Sequence, residues 1–160
     1  MSWLKTALAS LVFISSVAAA DDSDPVTMAR NVGFTGCDVL IKSTFENAKS
    51  ANERRTNVRY FEGQARKSVD IDMTYGSIGD TVIQTVHFTK EGGYCYASMT
   101  ATITQPGNCA GLLNQDEHFR YTADAAGVLW SKNAGGVTKL FTQTGNHCTQ
   151  IFIRDQKVKI

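Results

Sequence analysis

From Ser68 onward the chain alternates. Val69, Ile71, Met73 and Tyr75 are apolar, and Ser68, Asp70, Asp72 and Thr74 between them are polar, which is the period of a strand with one buried and one wet face. Over 81–89, Val82, Gln84, Val86 and Phe88 alternate with Ile83, Thr85, His87 and Thr89. Over 94–104, Cys95, Ala97, Met99, Ala101 and Ile103 alternate with Tyr94, Tyr96, Ser98, Thr100, Thr102 and Thr104. Turn signals at 76–80, at Glu91-Gly92-Gly93 and at Pro106-Gly107-Asn108 separate these runs. Shorter strands are predicted at 58–61, 118–123, 128–132, 137–143 and 148–154, and Leu112-Leu113 predicts a helical turn pinned to the core. The breaks are short. They favour antiparallel neighbours, because a parallel crossover needs about a dozen residues or more.

Ahead of the strands the period is helical. Cys37, Leu40, Ile41, Phe45, Ala48 and Ala51 recur at spacings of three and four, with Lys42, Glu46, Asn47 and Lys49 on the other side. Thr35 with Asp38 three residues on imitates a capping box, so one amphipathic helix is predicted from Thr35 to about Asn52. Residues 21–34 read as a loosely ordered polar segment. The expected fold class is α+β: an N-terminal amphipathic helix packed on a curved antiparallel β-sheet, a meander of about 7–8 strands, forming a single domain over 35–160.

Residues 1–20 change the setting. Lys5 precedes an apolar stretch from Ala7 to Val17, followed by Ala18-Ala19-Ala20 and Asp21-Asp22, the layout of a cleavable signal peptide. The expected location is therefore periplasmic or secreted, with no membrane anchor. Without those residues the chain carries 15 lysines and arginines against 15 aspartates and glutamates. That neutrality argues against nucleic acid as a partner. Cys37, Cys95, Cys109 and Cys148 are even in number and lack Cys-x-x-Cys spacing, so two disulfides are expected rather than a metal site. Cys95–Cys109 is disfavoured: an extended strand puts Cys95 about 30 Å from its far end, and the chain from Ile103 to Cys109 retraces only about 20 Å. Two pairings remain, Cys37–Cys95 with Cys109–Cys148 or Cys37–Cys109 with Cys95–Cys148. The first is favoured because Cys95 falls on the face the helix would cover.

No motif announces chemistry. There is no Gly-x-Ser-x-Gly or His-Glu-x-x-His, and no cofactor or metal is implied. A hydrolase or isomerase would have to use His87 or His118 with Asp70 or Asp72, or with Ser98. In the alternative, those histidines are ordinary surface groups and the aspartates keep a strand face wet. Cys148 beside His147 reads as a disulfide partner rather than a reactive thiolate. Tyr94 and Tyr96, among hydroxyls and near His87, form a candidate recognition patch. Glu53-Arg54-Arg55 reads as a charged segment after the helix, and Arg54 and Arg55 are candidates for an acidic partner. A third reading is a small-ligand carrier whose concavity is lined by Met73, Phe88 and Met99. The leading expectation is a non-enzymatic binding protein with a protein partner. Size and compartment suggest an inhibitor or immunity protein acting on a cell-wall hydrolase or secreted toxin.

Overall fold

A computed structural model describes residues 24–51 and 53–160; the signal peptide read over 1–20 lies outside them. The chain forms α1 (Pro25–Asn31), α2 (Asp38–Thr44), β1 (Glu53–Arg59), β2 (Ser68–Ser77), β3 (Asp80–Glu91) and β4 (Tyr94–Pro106), then α3 (Cys109–Gln115), β5 (Phe119–Ala125), β6 (Val128–Asn133), β7 (Thr138–Thr144) and β8 (His147–Lys159). All eight strands belong to one antiparallel sheet in the order β1-β2-β3-β4-β8-β7-β6-β5.

This is not one meander but two, β1–β4 and β5–β8, joined where β4 meets β8. The two 13-residue strands pair from Tyr94 opposite Lys159 to Pro106 opposite His147. The chain reaches the far edge, β5, through α3. Between β2 and β3 the hairpin closes on Ser77 opposite Asp80. Gly76 there has φ +124°, and a Cβ would meet the Asp80 carbonyl oxygen at 2.1 Å, so only glycine fits.

The helical region differs from expectation in two places. Residues 24–34 are ordered: Asp24 caps α1 by accepting from the Thr27 N–H at 2.8 Å, Pro25 opens the first turn, and Ala29 and Phe34 are fully buried. The predicted helix over 35–52 does not form as one rod. It is a seven-residue α2 whose N-cap is Cys37, followed by a 3₁₀ turn over Glu46–Ala48. The Ser43 and Thr44 hydroxyls bond back to the Leu40 carbonyl at 3.0 and 2.7 Å, the competition with the helix ladder that short hydroxyl side chains offer. Glu53, Arg54 and Arg55, read as a charged segment after the helix, are the start of edge strand β1.

Both helical layers lie on one face of the sheet. Under α1 and α2, Phe34, Leu40, Ile41 and Phe45 pack on Val69, Ile71, Val86 and Phe88. Under α3 the core is smaller: Cys109, Leu113, Phe141 and Cys148, flanked by Leu112, Phe119 and Leu129. Disulfides Cys37–Cys95 and Cys109–Cys148 tie α2 to β4 and α3 to β8, with Cα separations of 5.7 and 5.1 Å. Two structural disulfides point to an oxidising, exported environment. Among the described residues no helix is long and apolar enough to cross a membrane.

Candidate functional site

Among the described residues no helix lies on the other face of the sheet. Cross-strand partners point to the same side, so the register traces rows across it. One row runs Arg55, Thr74, Ile83, Thr102, Ile151, Leu140, Trp130 and Ala123 through all eight strands. Four of these are large apolar side chains, with Ile83 54% and Trp130 41% exposed and Ile151 and Leu140 half-buried. Ile153, also exposed, stands in the next row between Thr100 and Thr138. Strand alternation ordinarily places polar groups on a wet face, so a row with Ile151, Leu140 and Trp130 side by side and Ile83 across Thr102 is a surface feature that folding does not require.

The charges of this face are unevenly matched. Arg59 bonds Asp72 at 2.6 Å and lies 3.7 Å from Asp70, and Ser98 donates to Asp155. The Arg59 hydrogen bond holds the Asp72 carboxyl below its usual value, helped by Thr85 and Asn57 and opposed by burial. Among the described residues Arg55, Arg120, Lys132 and Lys159 have no carboxylate within salt-bridge distance.

The sequence-selected residues divide between the faces. Tyr94, Tyr96, His87 and Arg55 share the open face, and the two tyrosine rings lie 6.3 Å apart with Lys157 Nζ 5.9 Å from the Tyr94 ring. Arg54 pairs in register with Tyr75 on the covered side and donates to the Lys49 carbonyl at 3.4 Å. His118 sits between α3 and β5, at the end of the sheet away from Asp70 and Asp72, and its N–H is bound to Asp116 Oδ1.

His87 does find Asp70. Nδ1 lies 2.7 Å from Oδ1, and Nε2 lies 2.9 Å from Thr89 Oγ1, completing a hydroxyl–imidazole–carboxylate chain. Ser98 stands opposite His87 but is held by Asp155. Nucleophilic catalysis also needs donors for an oxyanion. β3 is paired on both sides, by β2 and β4, so its amides are spent in the ladder. The chain lies on an open sheet face, with 55% of the His87 side chain exposed.

On the covered face a cavity of about 500 Å³ opens between α2 with its 3₁₀ turn and the β5 side of the sheet. Its floor is Met99, Ala101 and Ile103 of β4 beside Phe152 and Arg154 of β8. Of the three residues proposed for a carrier cavity, Met99 lines it, whereas Phe88 and Met73 lie buried beneath the helices. Gln84, almost fully buried, donates to the Thr44 carbonyl at 3.1 Å and moors α2 at the rim. Tyr75 also lines the cavity, and burial pushes its phenol above the ordinary value. Arg154 is the single ionisable cation in the lining, and no carboxylate lies within salt-bridge distance of it among the described residues.

Beyond the cavity's Phe119 and Phe152 wall lies a feature the sequence did not announce. Lys139, 7% exposed, places Nζ 5.1, 4.9 and 4.7 Å from the ring centres of Phe119, Phe141 and Phe152 and donates to Asp116 at 2.8 Å. Burial pushes the Asp116 carboxyl up. The Lys139 ammonium and the His118 and Phe119 N–H groups outweigh it and hold the carboxyl below its usual value. No three His, Cys, Asp or Glu side chains among the described residues are grouped to hold a metal ion. Compared with protein-family models, curated proteins and solved structures, the chain matches none.

Proposed function

We propose that this chain is an exported, non-enzymatic binding protein, periplasmic or secreted, whose open sheet face holds a protein partner. The observation that carries the reading is the apolar row Ile83, Ile151, Leu140 and Trp130 crossing a face that alternation would leave polar. Rigid strand-borne aromatic and aliphatic groups lose little entropy on binding and suit the centre of an interface. The spare cations Arg55, Arg120 and Lys132 at the two ends of the face call for a partner surface that is apolar at its centre and acidic at its margins. An inhibitor or immunity protein acting on an exported hydrolase or toxin fits these terms. The size and compartment of the domain support that choice of partner.

The test is capture from periplasmic and secreted fractions with the wild-type chain and with the double variant I83S/W130A run side by side. The expected result is a protein retained by the wild type and lost, by about tenfold or more in affinity, with the variant. A Tyr94→Ala/Tyr96→Ala variant run in parallel reports whether the interface extends along β4. Equal retention by wild type and I83S/W130A would reject the open face as the binding surface.

A further inference from the structure

We infer that the cavity on the covered face is a binding site for a small amphiphile with one anionic head, a medium-chain monocarboxylate being the chemistry that fits. The inference is independent of the open face, which lies on the other side of the sheet. Its volume of about 500 Å³ falls within the roughly 300–1,000 Å³ of small-molecule sites. The residues around it sort by character. Arg154 and Gln156 lie at one end, beside Asn47 of the 3₁₀ turn; Val82, Ile103 and Phe152 lie at the other.

Ala101 makes the room. It occupies the middle of central strand β4, opposite Phe152 on one side and Gln84 on the other. A larger residue there would fill the floor, and its own half-buried state in the middle of the sheet reflects the space above it. From Met99 to Ile103 the floor runs about 13 Å along the strand, the length of an extended decanoate chain. An apolar body laid along β4 and β8 therefore brings its head to Arg154.

The charge at that point selects the sign of the head. Every other polar lining group is neutral: the amides of Asn47, Gln84 and Gln156, the hydroxyls of Ser43, Thr44 and Thr102, and the Tyr75 phenol. Unlike Arg59, which spends its guanidinium on Asp72, Arg154 has a fork of donors left for a carboxylate. A cationic or zwitterionic head would meet repulsion or an unpaired charge there.

Calorimetric titration of the full chain with decanoate and with decanol tests this. Decanoate is expected to saturate a single site, and decanol to bind about tenfold more weakly. R154Q, at an exposed position, should reduce decanoate to the affinity of decanol while leaving decanol unchanged. A101F should abolish both, with circular dichroism and melting temperature reporting whether it folds; if it does not, R154Q alone decides. I83S/W130A should bind decanoate as the wild type does, so that loss of the protein-binding reading and loss of this one are read separately. The inference is overturned if decanoate fails to bind, or if R154Q retains its preference over decanol.

Discussion

The two meanders are built alike and held differently. In β1–β4 the core is largely apolar, with Phe34, Leu40, Ile41, Ile71 and Phe88 at or below 1% exposure and Thr56 and Gln84 the buried polar side chains among the described residues. In β5–β8 the buried apolar set is four residues, two of them the Cys109–Cys148 disulfide. The volume is completed by polar groups: Lys139 with Asp116, Ser131 donating to the Lys139 carbonyl, and Gln150. Gln143 accepts from the Cys109 N–H at 2.8 Å and donates to the carbonyls of Gly107, Gly145 and His147. Each half has one cross-link; beyond it the first relies on area removed from water and the second on directional bonds. Area tolerates small losses, whereas a buried polar network loses its advantage when one member goes.

The largest effect should come from the cross-links. C37S/C95S and C109S/C148S open loops of similar length, 58 and 39 residues, and chain entropy assigns each about 4 kcal/mol. The consequences should diverge. Native-state hydrogen exchange is expected to show C109S/C148S losing protection in α3 and β5–β7 while β1–β4 stay protected, and C37S/C95S lowering all regions together. Identical patterns in the two variants would abolish the distinction between the halves.

Next in size is the part-buried Lys139–Asp116 ion pair. Asp116→Ala strands the Lys139 ammonium among three phenyl rings and should cost about 3 kcal/mol in urea unfolding. Lys139→Met combined with Asp116→Asn removes both charges, keeps the stem's packing, and should recover most of that loss. A double variant as unstable as Asp116→Ala would mean that the charge is not what is lost.

The smallest effect is a pH dependence. Asp24, Asp72 and Asp116 all have carboxyls below their ordinary value in the folded chain. Such groups contribute stability that is complete above their unfolded value of about 3.9 and is lost as the pH falls through the folded one. Melting temperature should therefore drop on acidification below about pH 5, and drop less steeply in the D116N/K139M variant. Parallel curves would place the acid sensitivity with Asp24 and Asp72, in the apolar half.

Local pattern carried most of the strands and few of their long-range relations. Alternation placed β2, β3 and β4 to within a few residues, because each has one buried face. β1 was read late, since Glu53, Arg54 and Arg55 are charged as an edge strand is and a loop also is. Asp24-Pro25 is a legible helix start that the surrounding polarity obscured. The apolar stripe of 37–51 survives as burial of Cys37, Leu40, Ile41, Phe45 and Ala48, but periodicity does not register the hydroxyl bonds that end α2. His87 falls opposite Asp70 as soon as Ile78-Gly79 is taken as a two-residue turn, so that pair was within reach. The β4–β8 seam was not, because the pairing of strands forty residues apart leaves no local trace. The cavity depends on that seam and on how far α2 sits from β5. The Lys139 cage likewise assembles residues from three strands and the turn after α3.

The seam has a consequence for how the molecule comes into being. β8 follows the other described strands along the chain, yet one of its two partners is β4, the inner edge of the first meander. Until β8 is available, a ribosome-bound or translocating chain exposes along β4 a 13-residue edge of unpaired amides and carbonyls. Contacts of such long sequence separation also close slowly. A chain whose sheet cannot be completed from its first half leaves that edge open until β8 joins it. It leaves β4 as the strand most exposed to mispairing until then.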